Sequence, residues 1–352
     1  MSAIDIGFTP DRAAGGSLGA RTTGAFRSRR DERRYRLLLA LFLGAGLLAT
    51  LGLILYNNPV PVDSPSFIPI VKRRLTAVVA MFIAALCHSF ATVSFQSVTG
   101  NRIITPSLLG YESLYSFIQT SVMFFFGATA LVQFSGTGAF FLQVALMIGI
   151  SLILFGWLLS GKYGNLHLML LIGIIIGAGL NSMSGFMRRV LSPSEFDLLQ
   201  SRLIGSVNNA DAEYFPIVVP LVLAAALMLY LLSRRLNVLS LGRDVSTAFG
   251  VNYQAHVILF LVLIAVLMAT TTALIGPMTF FGFLVAMLSY QAAPTYDHRY
   301  VLPMAFAIAF CVLTSAYFLL YHVFHAQTVV SVLIELFGGI AFLTVLLRKR
   351  SL

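Results

Sequence analysis

Ten apolar segments, each about as long as a membrane-spanning helix, constrain the fold of this chain more than any other feature. They occupy residues 35–56, 74–98, 107–126, 139–160, 166–188, 213–233, 254–274, 277–292, 301–321 and 328–347. A helix needs about 20 apolar residues to cross the roughly 30 Å hydrocarbon core, where every backbone polar group must be hydrogen-bonded within the protein. We therefore predict an all-α, polytopic membrane protein with about ten transmembrane helices, of which the eighth is short.

The composition leaves little room for a soluble domain. Hydrophobic residues make up 58% of the chain and charged residues only 10%, whereas a soluble domain is about one quarter charged. Cys87 and Cys311 both lie inside apolar segments, so we predict neither a disulfide framework nor a metal site. Residues 1–34 are polar and rich in Gly and Arg, and we predict a disordered basic cytosolic tail ahead of a membrane domain at 35–352.

The basic residues orient this stack of helices. A net charge of +10 is compatible with nucleic-acid binding, but the charges flank the apolar segments, so topology explains them more simply and no nucleic-acid partner is predicted. With a cytosolic N-terminus, 17 of the 23 Lys and Arg residues lie on the cytosolic side, as the positive-inside rule requires. We predict a multi-pass protein of the cytoplasmic membrane with both termini in the cytosol.

One cytosolic loop has helical character without the length to span a membrane. The stretch "LNVLSLGRDVSTAFGVN" (residues 236–252) places Val238, Leu241, Val245 and Phe249 on one helical face, opposite Arg243 and Asp244. About 16 residues at roughly 1.5 Å each cover only about 24 Å. Gly242 and Gly250 predict two short helices with a bend, ending in a glycine C-cap, at about 237–250. Helices that lie on lipid carry a polar face rich in Lys and Arg, so this sequence favours a groove on a protein partner.

Four stretches, in order along the chain, resemble one family of membrane proteins. They are "VKRRLTAVVA" (71–80), "SFQSVTGNRIITPSLLG" (94–110), the loop at 236–252, and "GPMTFFGFLVAMLSYQ" (276–291). From residue 37 to 350 the chain resembles the permease subunits of ABC importers for iron–siderophore complexes, haem and cobalamin. The run "GYESLY" (110–115) resembles a subgroup for catecholate-type ferric siderophores. Departures from the family pattern occur at 101–104, 286–287 and 328–330.

The resemblance implies a type II importer fold and a set of partners. The family pairs two permease subunits, docks two copies of a cytosolic ATPase and receives cargo from an extracytoplasmic binding protein. It binds no cofactor directly, because ATP–Mg is held by the ATPase. This chain has no Gly-x-x-x-x-Gly-Lys-Ser/Thr loop, so it lacks that route to ATP hydrolysis. The ATPase-coupling residues implied here are Val238, Leu241, Gly242, Arg243, Asp244, Val245 and Phe249.

The resemblance also implies two further contact regions. Lys72, Arg73 and Arg74 would dock the binding protein on the outer face, although an interfacial membrane anchor is the alternative. His322 and His325 are the nearest polar counterparts at the outer end of the ninth segment. The inner gate would lie at Asn101, Ile103, Asn165 and Leu166, because small or apolar side chains exclude water from a constriction; an ordinary cytosolic turn is the alternative.

Polar residues inside the spans leave a second class of function open. Gln96 and Gln119 are candidates for the pore, although hydrogen bonding between helices is the role we favour for neutral side chains. Glu335 is an acid well inside the last segment. A hydrogen-bonded structural acid is the interpretation we favour, and a proton relay is the other. The relay would belong to a secondary transporter driven by protons or sodium, the competing class.

Overall fold

The computed structural model describes residues 24–56, 63–133, 136–159, 166–324 and 330–349, and these ranges contain helices but no strand. The helices are α1 (Arg29–Leu55), α2 (Phe67–Thr99), α3 (Tyr111–Gln133), α4 (Thr137–Leu159), α5 (Leu166–Val190), α6 (Pro193–Leu203), α7 (Phe215–Leu231), α8 (Ser233–Leu239), α9 (Arg243–Ala248), α10 (Tyr253–Ile275), α11 (Phe281–Ala292), α12 (His298–Phe318) and α13 (Val330–Lys349). Short 3-10 turns at Pro106–Leu109, Val207–Asn209 and Ala212–Tyr214 and a π-turn at Leu319–Val323 complete these ranges.

Ten of these helices correspond to the ten apolar segments. Within the described ranges, eight helices are long and apolar enough to cross a membrane, namely α1, α2, α3, α4, α5, α7, α10 and α12. The other two are α11 and the apolar part of α13, which are shorter. The all-α prediction and the short eighth segment are confirmed.

Helix α1 starts at Arg29, before the predicted boundary between tail and membrane domain at residue 34. The Ser28 side chain accepts a hydrogen bond from the Asp31 N–H at 3.1 Å, which caps the first turn. Tyr35 is buried and donates a hydrogen bond to the Tyr300 carbonyl at 3.0 Å, while the Phe26 ring lies 4.8 Å from the Tyr300 ring. Local polarity suggested disorder at 24–34, but contacts with α12 order this segment; residues 1–23 lie outside the described ranges.

The centre of the bundle is built on α2. It packs against α10 and α12, while α4 packs on α10, α3 on α5, and α1 on α12. Ala80, Ala84, Ala85 and Ala91 of α2 are fully buried, and such small side chains let helix backbones approach closely in a membrane. In contrast, only 11% of the apolar window of α1 is buried. Helix α2 is thus the rigid core, and α1 lies at the periphery.

Two glycines fix the turn between α10 and α11. Gly276 has φ +100° and a Cβ added to it would lie 2.8 Å from the Gly205 Cα. The Ser206 N–H donates to the Ile275 carbonyl at 2.8 Å, so the chain after α6 is bonded directly to the end of α10. This backbone-to-backbone contact has no room for side chains.

We expect Gly205→Ala to lower the thermal stability of the detergent-solubilised protein. A Cβ at this position would overlap the Pro277 carbonyl oxygen, which is backbone and cannot rotate away; overpacking of this kind costs about 1–3 kcal/mol or more. Gly44→Ala is the matched control, because a Cβ there meets no atom within 4 Å. Equal melting temperatures for the two variants would contradict the packing described here.

Candidate functional site

The predicted loop between the sixth and seventh segments consists of α8, a bend and α9. Gly242 makes the bend with φ +94°, and the Ser246 hydroxyl donates to the Gly242 carbonyl at 2.6 Å. Gly250, with φ +73°, ends α9: its N–H donates to Thr247 and the Val251 N–H donates to Ser246, which is a Schellman cap. The prediction of two short helices with a glycine C-cap is confirmed.

The bend divides the apolar face of this loop into an inner and an outer part. Val238 is partly buried and packs on the core of the bundle. Leu241, Val245 and Phe249 remain 58%, 42% and 69% exposed, next to the exposed Arg243 and Asp244. We call Leu241, Val245 and Phe249 the apolar docking patch. It lies in the segment that connects α7 to α10.

Helix α8 is hydrogen-bonded to the start of α12, which is in turn hydrogen-bonded to the end of α2. The Asn237 side-chain oxygen lies 2.5 Å from His298 Nδ1 and accepts the His298 backbone N–H at 3.0 Å. His298 Nε2 lies 2.5 Å from the Ser97 hydroxyl of α2. The Asn237 amide donates to Asp297 at 3.0 Å, and Arg299 pairs with the same carboxylate at 2.7 Å. Burial raises the pKa of Asp297, but these hydrogen bonds outweigh burial and hold it below the usual value.

The loop that follows α2 is held by its own side chains. Gly100 ends the helix with φ +61°, and Asn101 Oδ1 accepts the Ile103 N–H at 2.9 Å. Gln96 donates to the Arg102 carbonyl at 2.8 Å, and the Arg102 guanidinium lies 4.6 Å from the centre of the Tyr290 ring. Gln96 therefore fastens this loop, which we call the gate loop (residues 100–105).

The remaining predicted gate residues are placed only in part. Leu166 is the first residue of α5 and packs partly buried against the core, and Asn165 lies outside the described residues. An inner gate at Asn101, Ile103, Asn165 and Leu166 therefore stays a prediction. A cavity of about 630 Å³ joins the gate loop to the apolar docking patch, because Gly100, Arg102 and Leu241 all line it.

On the opposite end of the bundle, the basic triplet lies inside α2 rather than before it. Lys72 and Arg73 are exposed. Arg74 Nη1 donates to the carbonyls of Leu53, Ile54 and Tyr56 at 3.2, 3.1 and 3.0 Å. It thereby satisfies carbonyls that the end of α1 would leave unbonded. Arg74 is thus a cap for α1, and only Lys72 and Arg73 present their charges outward.

A crevice beside this triplet contains one of its predicted counterparts. The cavity measures about 370 Å³ and is lined by Arg73, Arg74, Asn208, Tyr317, Tyr321 and His322, among others. Asn208 donates to the Tyr321 hydroxyl at 2.8 Å, which fixes one wall. His322 therefore lines the same crevice as Arg73 and Arg74, whereas His325 is outside the described residues. The structure brings the basic and aromatic groups of this face together.

Two pairs of polar side chains inside the spans are hydrogen-bonded between elements. Gln119 donates to Gln143 across α3 and α4 at 2.9 Å, which is the role between helices that we favoured. Glu112, which our sequence reasoning missed, accepts the Thr279 hydroxyl at 2.5 Å. Glu335 of α13 is half-buried, and its charge acts on that of Glu112. Acidic residues are common in the first turn of helices, so the sequence around Glu112 gave no reason to single it out.

The fold and these surfaces define a class of protein. Within the described ranges, a bundle of ten apolar helices with a short apolar patch on one end and a basic crevice on the other defines a polytopic membrane protein. The sequence profile of the FecCD transport family matches residues 34–348. The chain belongs to the FecCD transport family.

Individual relatives and a solved structure agree with this assignment. The chain is 67% identical over 333 residues to the petrobactin import system permease protein FatC of Bacillus anthracis, covering 95% of this chain and 94% of FatC. It is 33% identical to the petrobactin import system permease protein YclO of Bacillus subtilis, covering 90% and 99%. An inward-facing structure of a metal-chelate type ABC transporter superposes with a TM-score of 0.75 over 90% of this chain and 99% of that chain at 20% identity. The chain has the type II ABC importer permease fold and is a multi-pass permease of a bacterial importer.

Proposed function

We propose that this chain is the transmembrane subunit of an ATP-driven importer that passes a ferric siderophore, ferric petrobactin, across the cytoplasmic membrane. The single observation that carries the proposal is the 67% identity to the FatC permease over 95% of the chain. The apolar docking patch supports the ATP-driven part, since its size and position suit a cleft on a cytosolic ATPase.

The proposal includes an assembly. The FatC and FatD permeases of Bacillus anthracis both carry the name of the petrobactin import system, and this chain is also 27% identical to FatD. By analogy, it pairs with a second, different permease, binds two ATPase copies that hold ATP–Mg, and receives cargo from a siderophore-binding protein at Lys72 and Arg73. Its termini and the apolar docking patch lie in the cytosol, as the distribution of Lys and Arg supports.

The proposal is tested by uptake of radioactive iron in cells that lack this gene. We expect loss of uptake from ferric petrobactin, unchanged uptake from haem, and recovery when the gene is returned on a plasmid. Unchanged uptake of ferric petrobactin in a strain with no other petrobactin permease would refute the cargo assignment.

The competing secondary transporter rests on Glu335, and family membership does not support it. Because an ATP-driven importer needs no proton path, we expect Glu335→Gln to import cargo close to the wild-type rate in proteoliposomes supplied with ATP. A protonophore should leave that rate unchanged. Import that fails in Glu335→Gln and collapses with the proton gradient in wild type would favour the secondary transporter instead.

A further inference from the structure

The cytosolic segment that would receive the ATPase is connected to the gate loop by a continuous hydrogen-bonded path. We propose that Asn237, His298 and Ser97 form this path and transmit displacement of α8 to the cytosolic end of α2. This inference rests on the proposed function, because it assumes that the ATPase acts on the α8–α9 loop. The three are positioning residues: they act on the gate loop through the backbone of α2.

The first link joins α8 to the start of α12. The Asn237 side-chain oxygen makes two contacts with His298. It accepts the backbone N–H at 3.0 Å and lies 2.5 Å from ring Nδ1. A carbonyl oxygen can only accept, so Nδ1 carries the proton and donates it. The first turn of α12 already has a cap, because Asp297 accepts the Arg299 N–H at 3.1 Å. Asn237 is therefore not needed to start α12, and its bonds tie one helix to another.

The second link joins α12 to the end of α2. With Nδ1 protonated, neutral His298 has only Nε2 as an acceptor, and it lies 2.5 Å from the Ser97 hydroxyl. The Ser97 oxygen also lies 2.8 Å from the Val93 carbonyl within α2. One hydroxyl proton serves one acceptor at a time, and release of the ring toward Val93 would leave Nε2 of the buried His298 without a donor. This link therefore resists separation of α12 from α2.

The third link joins α2 to the gate loop. Gln96, the neighbour of Ser97, donates to the Arg102 carbonyl at 2.8 Å. Ser97 and Gln96 lie one turn from the end of α2 at Thr99, so any shift of this turn moves Arg102 and the loop with it. The middle residue of the path, His298, is only 5% exposed, and Asn237 and Ser97 are half-buried. Buried polar groups keep their partners, and α8 therefore cannot shift far without moving α12 or α2.

The experiment compares Asn237→Ala and Ser97→Ala, alone and together, in the complete transporter reconstituted in proteoliposomes with ferric petrobactin-loaded binding protein. We measure ATP hydrolysis, its stimulation by the loaded binding protein, and iron imported per ATP. For either single variant we expect retained basal hydrolysis, lost stimulation and a fall in iron per ATP of about tenfold, inside the roughly 5- to 150-fold range of couplings between sites. Ser97→Ala removes only one oxygen atom, so this variant tests the path even if Asn237→Ala does not fold.

The double variant and a control make the result specific to the path. If the residues act in series, Asn237→Ala with Ser97→Ala has the same effect as either alone. Asn252→Ala is the control, because that amide caps α10 through the Ala255 N–H at 3.1 Å and has the same chemistry in the same loop; it should keep wild-type coupling. Wild-type coupling in Ser97→Ala, or fully additive single effects, would overturn the path. Failure of the wild-type complex to import ferric petrobactin would instead count against the proposed function.

Discussion

Replacing Val245 and Phe249 together with Asp is expected to abolish co-purification of the ATPase while the permease still inserts and folds. Both side chains are exposed, by 42% and 69%, so the change leaves the bundle intact. In the complex, each Asp carboxylate would enter an apolar cleft that offers it no partner. Burying such a charge costs several kcal/mol, or else forces the carboxylate to take up a proton. At about 1.4 kcal/mol for each factor of ten in affinity, two such penalties exceed what a stable complex tolerates.

The control for this prediction is Thr247→Asp on the same helix. Thr247 is exposed and belongs to the polar face, so one added charge there should leave the complex intact. The readout is the amount of ATPase retained on the tagged permease after detergent extraction, with size-exclusion chromatography to verify folding. Retention of the ATPase by the Val245/Phe249 variant would show that α9 is not its docking helix.

Reversing Lys72 and Arg73 to Glu is expected to weaken docking of the binding protein by about tenfold or more, or about 1.4 kcal/mol. Exposed ion pairs contribute about 0.2–1 kcal/mol each, and reversal replaces attraction by repulsion at both positions. Arg74 is left unchanged, because it caps α1 and its loss would confound binding with stability. Higher salt should weaken the wild-type complex in the same direction, since exposed charges are screened.

The matched control reverses two arginines on the other side of the membrane, Arg33 and Arg34, which are exposed on α1. Affinity of the binding protein is measured in nanodiscs at low and at high salt for all three proteins. If the Lys72/Arg73 variant binds as tightly as wild type, the triplet serves only as a membrane anchor and a helix cap.

The periodic and local features of the structure were predictable from sequence. The ten apolar segments predicted the helices. The glycines at 242 and 250 predicted the bend and the cap of the α8–α9 loop, because glycine adopts a positive φ without steric cost. The start of α1 had a local signal in Ser28, which caps the helix, but the packing of this segment on Tyr300 was not predictable. An Arg-rich stretch carries no signal for a contact that distant.

The same limit applies to the functional residues. Arg74 could be recognised as basic, but its role as a cap requires the end of α1 to lie beside it. The path through Asn237, His298 and Ser97 joins three segments that are far apart in the chain. Each of these residues is unremarkable alone, so only the three-dimensional arrangement connects them.

The contact between α1 and α12 has a consequence for the order in which the protein is made. The Tyr35 hydroxyl bonds to a carbonyl 265 residues later in the chain. At a synthesis rate of roughly 5–20 residues per second, α1 leaves the ribosome about 13 to 53 seconds before its partner. During that interval lipid must take the place of protein around it. A first helix with only 11% of its apolar window buried in the finished bundle is suited to such a wait.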